Sequence, residues 1–287
     1  MEFLFRLTSR LPLPVLHALG WLGGWLVFLA SSAYRRRFLD NAAQAGVGAA
    51  QWLRAVGQGG MMVSELPRVW LGQTVPFTLE GEAHVLAALD GGQGVLCLTP
   101  HLGCFEITGR AYAERFCQSG APITVLYRPP RQAWLRNLVI AARNRPGLRA
   151  VPTDLQGVKQ MIKALRAGQA VGLLPDQVPP MGLGRSSRFF GRAAYTMTLS
   201  ARLAQQTGAR VLLVWGERLA WGRGYRVHFE PMAEALSDDL DAAVLQVNAA
   251  MEALILRQPG QYLWGYARYK LPRGAAHSGA QSRAKAD

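Results

Sequence analysis

The run LPLPVLHALGWLGGWLVFLASSAY, Leu11 to Tyr34, constrains this chain more than any other feature: it holds no charged residue and one histidine, His17. About 20 apolar residues suffice for a helix to cross the hydrocarbon core of a bilayer. Any fold must therefore bury this segment or give it lipid. Arg6 and Arg10 flank it on one side, and Arg35, Arg36 and Arg37 on the other. The triplet favours keeping the residues that follow in the cytoplasm. The stretch is longer than the roughly 7–15 residues of a signal-peptide core, and arginines follow it directly, which argues against cleavage. The expectation is a retained membrane anchor over residues 1–35, with a buried core helix and a cleaved signal as the alternatives. Trp21 and Trp25 lie nearer its middle than its ends and make a poor aromatic belt. Pro12, Pro14 and the glycines near position 23 leave spanning and lying in the interface both open.

Charge bears on what the rest of the chain meets. Only 17% of the 287 residues are charged, against about 25% in an ordinary soluble domain. The 32 Lys and Arg nevertheless outnumber 18 Asp and Glu, for a net charge of +14. Such a surface seeks an acidic partner: nucleic acid, anionic lipid or an acidic protein. No RNP-like, helix-turn-helix or zinc-finger pattern accompanies the charge, so nucleic acid is not expected. Three cysteines, Cys97, Cys104 and Cys117, without a C-x-x-C pair read as reduced thiols.

The body alternates. Arg36 to Val56 reads as an amphipathic helix broken by Gly57 to Gly60, with a short helix over 61–71. Strands are expected at Gly94–Thr99, Ile123–Tyr127, Ala170–Leu174, Arg210–Trp215 and Tyr225–Phe229. Helices are expected at Phe105–Phe116, Ala133–Arg143, Leu155–Ala167, Tyr195–Gln206 and from an Ser237 N-cap to near Arg257. Strands alternating with helices predict an α/β fold, a mostly parallel sheet flanked by helices. Residues 36–273 form that domain, and 274–287, rich in Ala, Ser, Gly and Lys, are expected to be a disordered tail.

The chemistry-bearing segment is Thr99-Pro100-His101-Leu102-Gly103-Cys104-Phe105-Glu106. His101 follows an apolar strand directly, at the carboxyl end where open α/β sheets place ligands. Within one continuous helix, residues five apart sit roughly 140° apart and cannot pair. They can pair if His101 lies in the strand-to-helix turn and Glu106 in the first helical turn, with Gly103 giving the turn freedom. A carboxylate on one imidazole nitrogen would fix the tautomer and stabilise the imidazolium. The competing readings are an incidental His and Glu, a zinc site using His101 and Cys104 that lacks further ligands, and Cys104 as a nucleophile.

The H-x-x-x-x-E pattern after an apolar strand resembles the signature of the glycerolipid acyltransferase superfamily. More narrowly, the chain resembles the lauroyl/myristoyl acyltransferases of bacterial lipid A biosynthesis. The supporting pieces run in order: the apolar segment followed by RRRFLDN, the TPHLGCFE block, Tyr127-Arg128-Pro129, Arg143 and Arg145, Leu174-Pro175-Asp176-Gln177, Gln206-Thr207-Gly208-Ala209, Pro259 to Trp264, and Arg268-Tyr269-Lys270. The resemblance covers nearly the whole chain, to about Arg273. It departs at Asp-Gln-Val-Pro-Pro after Leu174-Pro175 and at Ala267-Arg268, where two adjacent basic residues are common.

That resemblance implies an acyltransferase in which His101 takes the proton of an acceptor hydroxyl and Glu106 orients His101. Backbone N–H groups near Gly103 would hold the oxyanion. It further implies that Arg128, Arg143, Arg145, Asp176 and Gln177 meet substrate. The residues themselves leave two readings for Arg185 and Arg188, in the basic and aromatic loop that ends at Arg192: a grip on lipid headgroups or a plain surface loop. The donor would be a thioester of acyl carrier protein or coenzyme A, and the acceptor an anionic lipid A precursor in lipopolysaccharide biosynthesis. The enzyme would sit at the bacterial inner membrane with its catalytic domain on the cytoplasmic side. No cofactor or metal is implied, because the thioester carries the energy. Acylation of another lipid, such as a lysophospholipid, and a non-catalytic membrane-tethered binding protein are the alternatives.

Overall fold

The computed structural model describes residues 2–72, 74–117, 120–127, 132 and 145–272. Arg128, Arg143, the helix expected at Ala133–Arg143 and the tail expected from Gly274 lie outside them.

Five helices come first: α1 (Glu2–Thr8), α2 (Leu13–Ala30), α3 (Ser32–Gln44), α4 (Ala49–Ser64) and α5 (Leu66–Leu71). The apolar run is α2, which is long and apolar enough to cross a membrane by length and composition. Ser31 ends it and caps α3 by accepting from the Tyr34 N–H at 3.3 Å. The Arg35 guanidinium donates to the carbonyls of Phe28 and Leu29, covering the end of α2. Along its length α2 packs on α4. The helix break expected at Gly57–Gly60 is instead at Gly46, whose φ is +69°, and those glycines lie inside α4. Glycine costs a helix about 1 kcal/mol each, but tertiary contact overrides propensity here. A Cβ on Gly60 would sit 1.9 Å from the Gly20 carbonyl, and one on Gly57 would sit 2.0 Å from the Trp21 ring.

The body follows as β1 (Phe77–Glu80), α6 (Glu82–Asp90), β2 (Val95–Leu98), α7 (Phe105–Phe116), β3 (Ile123–Tyr127), β4 (Leu148–Pro152), α8 (Leu155–Arg166), β5 (Ala170–Leu173), β6 (Gly184–Phe189), β7 (Arg192–Met197), α9 (Leu199–Thr207), β8 (Arg210–Arg218), β9 (Tyr225–Pro231) and α10 (Leu240–Arg257). Seven strands form a sheet in the order β1-β9-β8-β2-β5-β3-β4, parallel throughout except for the β8–β9 pair. Both faces are covered, so alternate residues of one strand enter different cores. Leu96 and Leu98 pack with Phe38, Leu213 and Trp264 on one side, whereas Val95 and Cys97 pack with Ile107, Tyr112 and Phe229 on the other.

Two local expectations differ from the structure. The segment from Arg185 to Arg192 is a hairpin rather than a loop, and Tyr195 to Met197 belong to β7 rather than to a helix. The hairpin turns on Phe190 and Gly191, both at positive φ, as a two-residue connection between right-twisted strands requires. At the far end Asp239, rather than Ser237, caps α10, accepting from the Ala242 N–H at 2.8 Å.

Candidate active site

Strands β2 and β5 are parallel neighbours, so their carboxyl ends open at one edge of the sheet. The chain leaves β2 through Thr99-Pro100-His101 and leaves β5 through Leu174-Pro175-Asp176, and the Thr99 N–H donates to the Leu173 carbonyl. His101 and Asp176 therefore meet although 75 positions separate them. The carboxylate engages His101 twice: Oδ1 lies 2.8 Å from Nδ1, and Oδ2 accepts from the backbone N–H at 2.9 Å. Tyr262 adds its hydroxyl to Oδ2 at 3.3 Å. Burial alone would raise the Asp176 carboxyl, but the charge of His101, its two hydrogen bonds and Arg268 hold it below the ordinary carboxylate range. With Nδ1–H donating to Asp176, Nε2 is the acceptor nitrogen, and the Gln177 amide sits against it at 2.9 Å.

This corrects one expectation. His101 does lie in the turn and Glu106 in the first turn of α7, as pairing required, yet Asp176 takes Nδ1. Glu106 instead accepts from the Trp70 indole N–H at 3.1 Å. Spacing along the chain sees Glu106 but not the neighbouring strand, which delivers a carboxylate to both the ring and the backbone of His101. The N–H groups of Leu102, Gly103 and Cys104 donate to the carbonyls of Pro100, Gln261 and Gly216. Gly103, at φ +58°, presses so close to β8 that a Cβ would sit 2.1 Å from the Gly216 carbonyl.

Behind the same turn lies a buried polar cluster. Glu65 is fully buried and receives Arg218 on both oxygens, at 2.5 and 2.8 Å, with the Tyr225 hydroxyl at 2.9 Å and His17 at 3.2 Å. Arg218 also donates to Gln58 and to the Gly103 carbonyl. Burial would raise the Glu65 carboxyl, but Arg218 and His17 bring it down to about 2. The buried Cys104 thiol is pushed well up by burial and by Glu65, which counts against a thiolate nucleophile.

Beside Glu106 an apolar cavity enters the sheet, with Thr99 and Phe105 as well as Tyr112, Val125, Leu173 and Phe229 in its walls. The Phe105 ring touches His101, with centroids 4.7 Å apart. Arg145 donates to the Trp70 carbonyl at 2.6 Å, and Trp70 thereby links it to Glu106. Arg185 and Arg188 lie on β6, which packs along α10, and Arg185 approaches Asp241 at 3.6 Å. Among the described residues neither shares a hydrogen bond with the His101 network. Sequence reasoning passed over Glu65, Trp70 and Arg218, which no local pattern marks. Tyr262 and Arg268 stood in blocks of resemblance, without a role.

A parallel α/β sheet with a carboxylate-held histidine at its carboxyl edge, opening beside an apolar cavity, defines a class of site suited to proton abstraction next to an aliphatic chain. Residues 55–271 match the family described as bacterial lipid A biosynthesis acyltransferase, and the chain belongs to that family. It is 29% identical over 196 residues to the lipid A biosynthesis palmitoleoyltransferase of Escherichia coli, covering 68% of this chain and 61% of that one. To the lipid A biosynthesis lauroyltransferase of E. coli it is 27% identical over 195 residues, covering 66% and 60%. To a lipid A biosynthesis acyltransferase of Haemophilus influenzae it is 25% identical over 186 residues, covering 64% and 56%. The matched region thus spans about three fifths of these relatives' length.

Proposed function

We propose that this protein transfers a fatty acyl chain from a thioester, carried by acyl carrier protein, to a hydroxyl of a lipid A precursor on the cytoplasmic face of the inner membrane. The observation that carries the reading is His101, held by Asp176 at Nδ1 and with Nε2 against the Gln177 amide. Gln177 covers Nε2 until the acceptor hydroxyl displaces it. Nε2 then takes the hydroxyl proton while the oxygen attacks the thioester carbonyl. Asp176 stabilises the imidazolium and keeps its tautomer. When the tetrahedral intermediate collapses, the C–S bond breaks and the imidazolium returns the proton to the thiolate. Ester and thiol leave.

The apolar cavity receives the acyl chain, since its aromatic and aliphatic walls offer the chain the burial it lacks in water. Glu106, in the wall of that cavity, adds a second negative charge on the His101 side and positions the acceptor. Arg145 stands beside it for the acceptor's phosphate. The net charge of +14 suits an acidic carrier and an anionic lipid alike. The test is mass spectrometry of lipid A from cells lacking the gene, paired with purified enzyme, acyl carrier protein thioester and lipid A precursor. Loss of one secondary acyl chain, restored by the wild-type gene but not by His101→Ala, is the expected result. Unchanged lipid A with altered phospholipid acylation would move the acceptor to a lysophospholipid.

A further inference from the structure

Helix α2 is apolar on both faces but uses them differently. Leu13, Leu16, Gly20, Gly24 and Phe28 turn into the protein, while Leu19, Leu22, Leu26 and Leu29 stand 55–68% exposed on the other side. A surface helix of a soluble protein carries polar side chains there, and a contiguous exposed apolar stripe marks a contact. The inward face is fastened at both ends. Leu13 joins the core on one side of the sheet, and Phe28 the core on the other. Between them Gly20 and Gly24 lie against Gly60 of α4, backbone to backbone.

These contacts decide how the helix can meet a bilayer. A spanning α2 would carry α4 into the hydrocarbon beside it, including the exposed Gln51 and Arg54, or would have to tear out of both cores. Either course leaves polar groups in lipid or apolar groups in water. Exposed arginines stand at both ends: Arg6 and Arg10 before the helix and Arg36 after it. Trp221, 89% exposed, occupies the 3-10 turn Ala220–Gly222 that packs against the start of α2, with exposed Arg223 beside it. An indole next to arginines belongs at a headgroup boundary.

We infer that α2 does not cross the membrane but lies in the plane of one leaflet, its leucine stripe among the acyl chains and the flanking arginines on anionic headgroups. This rests on the membrane location proposed above and adds its geometry. The site then sits at the same surface. Phe5 of α1 contacts Trp70 at 5.8 Å between centroids, and the Trp70 indole holds Glu106 in the cavity wall. A lipid acceptor reaches His101 with its chains still in the leaflet.

The test uses the full-length protein with Cys117→Ser, because Cys97 and Cys104 are buried. Arg10→Cys and Ser32→Cys, one at each end of α2, are probed with a membrane-impermeant maleimide in inverted and in right-side-out inner-membrane vesicles. Both positions are expected to label in inverted vesicles and neither in right-side-out ones. Labelling of one position from each side means a crossing helix and overturns the inference while leaving the membrane reading intact. A protein found wholly in the soluble fraction overturns both. A second arm, Leu22→Asp with Leu26→Asp, is expected to move most of the folded protein off vesicles containing anionic phospholipid in moderate salt. Full retention would show that the stripe does not face lipid, and a soluble wild-type dimer that the double variant splits would assign the stripe to a second copy.

Discussion

Two buried carboxylates grip the same turn from opposite sides, and they do different work. Asp176 holds His101 at the front of the Pro100–Cys104 turn, and Glu65 holds Arg218, which grips the Gly103 carbonyl at the back. Each is buried, and each has its carboxyl lowered by a basic partner. In the rear cluster both carboxylate oxygens are paired: Arg218, Tyr225 and His17 converge on Glu65, and Arg218 is itself 4% exposed. The front pair keeps one end open, because among the described residues Nε2 of His101 meets a side-chain amide that a substrate can replace. A buried acid–base pair whose polar atoms are all paired gives rigidity, whereas one that leaves a lone pair to a replaceable partner gives chemistry.

The comparison breaks most directly at His101. His101→Ala should cut acyl transfer by at least about 10²-fold, the usual worth of a general base, in protein that still folds, its melting temperature lowered by the unpaired Asp176. Near-normal turnover would remove the front pair from the reaction. At the rear, Glu65→Gln should act the other way, on stability. Uncoupling a buried pair costs about 3–5 kcal/mol, read as a lower urea midpoint or loss of soluble folded protein. The same pair sets an acid limit. Its folded-state carboxyl titrates at about 2 against an ordinary 4.5. The unfolded chain therefore binds the proton more readily, and the stabilisation is complete above the ordinary value. Stability should fall as pH drops from about 4.5 toward 2, and Glu65→Gln should flatten that slope.

Smaller effects sharpen the front site. Asp176→Asn should lose more turnover than Glu106→Gln, because of the two carboxylates Asp176 is the one hydrogen-bonded to the ring, and the lost factor should be about 10²-fold, the low end of what a general base contributes. The reverse order in steady-state kcat would return the orienting role to Glu106. Arg145→Ala should raise the KM for the lipid acceptor roughly tenfold, about 1.4 kcal/mol of binding, with the donor KM unchanged. A selective effect on the donor would place the acceptor's phosphate elsewhere. Least in rate but visible in product, Gly109→Leu should narrow the cavity that Gly109 lines and shift the transferred chains toward shorter lengths by mass spectrometry.

The amino-acid order by itself determined the parts of this protein that depend on local pattern. The short apolar strands, the uncharged run of α2 and the position of His101 after β2 all follow from neighbours a few residues apart. Tertiary structure alone decided the rest. Which carboxylate serves His101 depended on β5 lying beside β2, and which glycines break a helix depended on α2 lying against α4. Glu65 and Arg218, 153 positions apart, carry no signal in either segment. The physical reason is the same in each case. Periodicity and capping are energies of adjacent residues along the chain, whereas a buried charge finds its partner only where the folded sheet and helices exclude water and bring it within reach.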